Sequence, residues 1–188
     1  MTITKRVLLL LDVQVCNLSD PPRGVPSAPT LRGNIETVLN AARGAKPPPV
    51  IVHVRNAGDV GDPDEVGSSG WELMFEPVLG AGYVVDKVKN NAFSGTRLGE
   101  LVPVDAEVVV VGVGSDFGIR ATCSVALDRG NAVILIRGAH GTYDRLEVLY
   151  GGGVTPAVKV EEEVEDELEE AGVAVLDMKD VYGIFTDR

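Results

Sequence analysis

The stretch Glu107-Val-Val-Val-Val-Gly-Val-Gly-Ser-Asp-Phe-Gly118-Ile-Arg-Ala-Thr-Cys-Ser-Val-Ala-Leu-Asp-Arg-Gly130 joins a short β-branched run to a helix-length segment closed by glycine. Val108–Val113 is short, apolar and without alternation, the pattern of a strand buried on both faces. Ser115 and Asp116 follow, with side-chain oxygens suited to the free N–H groups of a helix start. The segment Ser115–Arg129 therefore predicts a helix with Gly118 in its first turn, just beyond the carboxyl end of a central strand. In an open α/β sheet, ligands bind at that place.

The same grammar repeats along the chain. Arg6–Asp12, Val50–Arg55, Tyr83–Val88, Ala132–Ile136 and Val173–Leu176 read as further strands. Leu31–Arg43 reads as a helix, with Ile35, Val38, Leu39 and Ala42 on one face and the prolines at 47–49 behind it. Thr96–Leu101 is a short helix capped by Thr96, and Val160–Ala171 carries a narrow stripe of Val160, Val164 and Leu168. This alternation predicts an α/β protein of three layers, α/β/α, around a six-stranded, mainly parallel, Rossmann-like sheet. The length of 188 residues fits one domain over residues 1–188. Two long connections, 13–30 and 56–80, are candidate binding loops.

Composition narrows the function. A net charge of −11 offers no basic stripe to phosphates, which argues against nucleic acid and against an anionic membrane surface. Residues 161–170 hold eight of the 28 acidic side chains, most simply the solvated face of a helix. Two cysteines, Cys16 and Cys123, make neither a disulfide framework nor a zinc pattern. The apolar run Val7–Leu11 is too short for a signal peptide, and no segment reaches the length of a membrane span. The expectation is a cytoplasmic protein whose partners are a small-molecule substrate and further copies of the chain, in a homo-oligomer.

Asp12 ends the first strand directly after four leucines, where a carboxylate needs a partner or a raised pKa. From position alone it reads equally as a turn cap. Lys87, at the end of the third strand, reads by itself as a surface lysine. Taken together, Leu11-Asp12-Val13-Gln14, then Lys87 six residues before Phe93-Ser-Gly-Thr96, then Val-Val-Gly112-Val113 with Gly118 six residues past Gly112, resemble the isochorismatase-like cysteine hydrolase family. The resemblance runs the length of the chain in the right order.

The resemblance implies a catalytic Asp at Asp12, a catalytic Lys at Lys87 and a nucleophilic Cys at the position held here by Gly118. It also implies a peptide between Val113 and Gly114 that is often cis in the family. Amide-hydrolysing relatives use the Cys covalently. Vinyl-ether hydrolases of the family can carry glycine there, with the Asp as general acid and water attacking the cation. Two readings follow. One is a hydrolase of a small, anionic metabolite that works through Asp12 and Lys87 without a covalent step. The other is a cysteine-type amide hydrolase whose nucleophile is lost at 118, leaving an inactive variant or a binding protein; the Ser-Asp-Phe-x-Ile-Arg-Ala-Thr-Cys context resembles that branch.

Gln14, Trp71, Phe93, Val113, Gly114 and Phe117 are the expected substrate-binding residues, with Phe75 a further aromatic candidate. No cofactor is expected. No metal is expected either, because Asn56–Asp62 lacks the histidines of the family's metal-binding branch. Cys123 is expected in the core, Cys16 in a loop beside Asp12, His53 in the core or at a strand end, and His140 in a loop. A nucleotide-binding reading of Gly112-x-Gly114 is weaker, because the third glycine falls one residue late and no phosphate-loop lysine is present.

Overall fold

The computed structural model describes residues 5–149 and 151–186. In chain order the elements are β1 (Arg6–Leu11), α1 (Val15–Leu18), α2 (Ala28–Gly44), β2 (Val50–Asn56), β3 (Gly82–Lys87), α3 (Leu98–Leu101) and β4 (Glu107–Val113). A π-helical turn, Ser115–Ile119, then leads into α4 (Arg120–Asp128). β5 (Ala132–Gly141), the small hairpin β6 (Arg145–Leu146) and β7 (Val154–Thr155), α5 (Ala157–Ala171), β8 (Ala174–Asp177) and α6 (Val181–Ile184) complete the chain. The main sheet has six parallel strands in the order β3-β2-β1-β4-β5-β8. The order reverses between β1 and β4, so the switch point lies where Asp12 and Gly118 leave their strands.

Strand periodicity makes the layers. On β1, Leu8 and Leu10 enter one core with Ile35, Val38 and Leu39 of α2, while Val7, Leu9 and Leu11 enter a second with Cys123 and Ala126 of α4 and Leu168 of α5. On β4, Val109 and Val111 join the first core, and Val108 and Val110 the second. Alternate residues thus serve opposite faces, which is why these runs are apolar throughout. Each fully buried Leu or Val contributes about 1.5–3 kcal/mol through its apolar surface. The acidic helix α5 is held by Val160, Val164 and Leu168, all buried, and stops at Gly172, whose φ of 112° an L side chain rarely adopts.

The six strands and the layering agree with the sequence reading, with four departures. Residues 115–129 do not form one helix: the first turn is π-helical, and neither Ser115 nor Asp116 caps it. Thr96 lies outside α3, although its hydroxyl accepts from the Leu98 N–H (3.1 Å). The loop 13–30 contains α1 and the start of α2, because Ala28 and Leu31 belong to the buried face. β5 runs on to Gly141 through a register shift against β4, which carries His140 out of the expected loop and onto the sheet.

Candidate active site

Three strand ends at the carboxyl edge of the sheet, those of β1, β3 and β4, bring Asp12, Lys87 and Gly118 together. β1 ends at Leu11, and Asp12 holds a left-handed backbone (φ 52°), a conformation Asp tolerates better than most residues. Its N–H still donates to the Val54 carbonyl (2.8 Å), which fixes the side chain at the strand end. β4 presses against β1 so closely that a Cβ at Gly112 would lie 2.0 Å from the Leu11 carbonyl oxygen. Only glycine fits there. Gly114 (φ 85°) then turns the chain into Ser115–Ile119. The Val113–Gly114 peptide is not cis; among the described residues the cis bonds are Pro21–Pro22 and Lys46–Pro47.

The structure brings Asp12, Lys87 and Gly118 together. The Lys87 ammonium, 2% exposed, lies 3.1 Å from Asp12 Oδ2, whose side chain is 14% exposed. A Cβ at Gly118 would stand 3.5 Å from Asp12 Oδ2, 3.7 Å from Lys87 Nζ and 3.5 Å from the Asn90 carbonyl oxygen, all ordinary contacts. Gly118 therefore faces the pair across space that its missing side chain leaves open. Asp12 Oδ1 is buried and has no hydrogen-bond partner among the described residues. Burial pushes the Asp12 carboxyl up to about 6, the Lys87 charge and hydrogen bond oppose this, and the Asp64 carboxylate adds to it.

Two residues the sequence reading missed complete the polar floor. Asn56 ends β2 in register with Lys87; its Oδ1 accepts from Lys87 Nζ (3.2 Å) and its Nδ2 donates to Asp64 Oδ2 (2.6 Å). No motif marks Asn56. The available signal is its position: it closes a buried strand that lies between the ends of β1 and β3.

The expected substrate-binding residues divide. Phe117 is 59% exposed beside Gly118 and forms the rim. Gly114 is packed against the turn, where a Cβ would meet the Gly118 nitrogen at 3.6 Å. Gln14 is fully buried, and its amide is used within the protein: Nε2 donates to the carbonyls of Asn56 (3.0 Å) and Trp71 (3.1 Å), and Oε1 accepts the Asn56 N–H (2.8 Å). It clamps the 56–71 loop onto β1 and has no free amide for a ligand. The Val113 side chain is core. The Trp71 ring lies under the Arg55 guanidinium (3.4 Å), and the Phe93 ring under Arg129 (4.6 Å).

Behind the turn lies a second polar cluster. Ser115 Oγ and His140 Nδ1 are 2.9 Å apart, His140 Nε2 is 3.0 Å from Glu165 Oε1, and Arg137 donates to Glu165 Oε2 (2.7 Å). Asp116 Oδ1 accepts from the Thr142 hydroxyl (2.6 Å). Ser115 and Asp116 thus pin the turn to β5 and α5 instead of capping it. Both thiols are poor nucleophiles. Burial first, with the Asp64 and Asp12 charges adding, pushes Cys16 up to about 11, and burial pushes Cys123 up to about 12. Among the described residues, no group of three or more His, Cys, Asp or Glu side chains could hold a metal ion. No helix among them is long and apolar enough to cross a membrane.

An acid–ammonium pair thus lies at the switch point of a six-stranded parallel sheet, opposite an open helix turn, where ligands bind in open α/β sheets. The isochorismatase domain model matches residues 6–150, and the chain belongs to the isochorismatase family. It is 36% identical over 143 residues to a streptothricin hydrolase from Streptomyces noursei, a match over 74% of this chain and 55% of that protein. The chain spans about half the length of the curated relatives it matches. Among solved structures it resembles an isochorismatase from Pseudomonas putida, with a TM-score of 0.81 and 26% identity over 96% of this chain and 93% of the other. A cysteine hydrolase from Pseudomonas syringae shares the fold, with a TM-score of 0.81 at 18% identity over 97% and 96% of the two chains.

Proposed function

We propose that this chain is a hydrolase of a small metabolite that works without a covalent enzyme intermediate. Asp12 supplies the proton, Lys87 holds the carboxylate in place, and water takes the part that a side chain at 118 would play. The observation that carries this reading is Gly118 itself, directly across from Asp12 Oδ2 and Lys87 Nζ with no nucleophile between them. A carboxyl pushed up to about 6 retains a useful protonated fraction near neutral pH and so suits a general acid. Asp12 Oδ2 is the oxygen that borders the slot at Gly118, and Oδ1 has no hydrogen-bond partner among the described residues. The bond cleaved is a vinyl ether or a C–N bond. Lys87 supports an anionic substrate, while Asp64 on the far side of Asn56 sets the limit of that preference. The relationship to streptothricin hydrolase makes streptothricin one of the first compounds to assay, beside isochorismate and small amides. The proposed setting is a single domain in a cytoplasmic homo-oligomer, for which the exposed Leu146, Val148 and Leu149 provide apolar surface.

One observation favours a second reading, a cysteine-type amide hydrolase that has lost its nucleophile. A side chain at 118 would enter at ordinary contact distances, on a backbone without a positive φ. Gly118→Cys separates the two. In a disabled cysteine hydrolase the new thiol, beside Lys87 and at the head of the α4 segment, should alkylate with iodoacetamide faster than Cys16 or Cys123, and amide hydrolysis should appear. In a hydrolase that uses water, the same change should crowd the substrate and slow turnover. A variant with neither a fast thiol nor altered turnover would remove residue 118 from the site.

A further inference from the structure

A pocket of about 170 Å³ lies at the amino ends of β2 and β3, at the opposite end of the sheet from Asp12 and Lys87. Its walls are Pro48, Pro49, Ile51, Val78 and Ala81. His53, on the same face of β2 as Ile51, forms part of its floor, and Arg43 stands at the end of α2 on its rim. His53 is 1% exposed, and neither ring nitrogen has a hydrogen-bond partner among the described residues. Buried polar groups are nearly always paired, so a ring with two unpaired nitrogens lining a pocket points to a partner from outside the chain. Burial first, and the Arg43 charge second, push the ring down to about 4, so at neutral pH it offers one N–H donor and one lone pair. Arg43 makes no ion pair with a carboxylate among the described residues; Nη2 donates to the Glu76 carbonyl (2.7 Å), and donors remain on the fork.

We propose that this pocket binds a small apolar monocarboxylate, with its anionic group held between Arg43 and the His53 N–H and its hydrocarbon body against Pro48, Pro49, Ile51 and Val78. The size is suitable, since an apolar cavity of about 150 Å³ takes up benzene. One anionic end suits the single guanidinium. A phosphate would bring more charge than the single guanidinium offsets, and a metal ion would find one imidazole and no carboxylate. The site is separate from the catalytic edge and does not depend on the function proposed above.

The chain has two histidines, and they report on different places: His53 on this pocket and His140 on the turn behind Gly118. Ring-resolved NMR of the intact chain with benzoate should show a saturable shift of His53 and none of His140. Benzyl alcohol, with the ring but no charge, and acetate, with the charge but no ring, should each bind at least about tenfold more weakly, as expected for loss of a charge-assisted hydrogen bond or of the apolar contact. Arg43→Gln, a change at the rim, should weaken benzoate by about the same factor. His53→Phe should abolish binding, and if that variant does not fold, Arg43→Gln carries the test. The proposal is overturned if His53 shows no saturable shift, if benzyl alcohol binds as well as benzoate, if Arg43→Gln has no effect, or if His140 alone responds.

Discussion

Two buried polar clusters flank the turn 114–119, and they differ in how completely their atoms are paired. In the rear cluster both nitrogens of His140 are engaged, by Ser115 and Glu165, and Glu165 is anchored again by Arg137. In the front cluster Asp12 pairs through Oδ2 alone, Oδ1 is left without a partner among the described residues, and the backbone is held at a positive φ. A fully paired network stabilises one geometry. A carboxylate with one unpaired oxygen, a raised pKa and local strain is the pattern expected of a reactive group. By this contrast the serine–histidine–glutamate series is scaffold, even though its residue types suggest a triad. Ser115 is wholly buried and no substrate reaches it.

The largest expected effect breaks the comparison at the front. Asp12→Asn should lower turnover of any hydrolysed substrate by ~10²–10⁴-fold, because an amide cannot donate the proton. Steady-state kinetics on the variant checks this, and full activity would assign Asp12 another role. At the rear, His140→Ala should remove two buried hydrogen bonds, taking the partner from Ser115 Oγ and from Glu165 Oε1 while Glu165 Oε2 stays with Arg137. The expected loss of unfolding free energy is about 2–4 kcal/mol in a denaturant titration. Turnover per folded molecule should change far less than in Asp12→Asn. Equal kinetic damage from both variants would end the distinction between scaffold and reactive pair.

A smaller effect concerns pH. The Asp12 pKa is raised on folding, from 3.8 to about 6, so the native state binds the extra proton between those values. The stability this contributes is present below about pH 4 and is lost as pH rises through about 6, to an extent of about 3 kcal/mol. The unfolding free energy of the parent chain, compared with that of Asp12→Asn, should therefore decline over that window. A flat difference would mean that the carboxyl is not buried as described. The smallest effect sharpens the role of the open slot. Gly118→Ala, in a helical turn without positive φ, should stabilise the chain by about 0.4–1 kcal/mol, because it restricts the unfolded state. If substrate or water occupies the slot, the same methyl should reduce turnover.

The sequence alone determined the layers and the strand ends that carry Asp12, Lys87 and Gly118. Burial on both faces is written in unbroken apolar runs such as Val7–Leu11 and Val108–Val111, a pattern legible without knowledge of neighbours. The spacing of Asp12, Lys87 and Gly118 relative to their strands also placed all three at one edge, because parallel strands end on the same side. Tertiary structure decided the pairing of polar groups. Nothing in the local sequence says that Gln14 would clamp Asn56 and Trp71, or that Ser115 would turn from capping a helix to holding His140. Those choices depend on the register between strands far apart in the chain. The shift in pairing between β4 and β5 brings His140 level with Gly112. A hydrogen bond is short and directional, so a displacement of one residue exchanges one partner for another, whereas hydrophobic burial tolerates it.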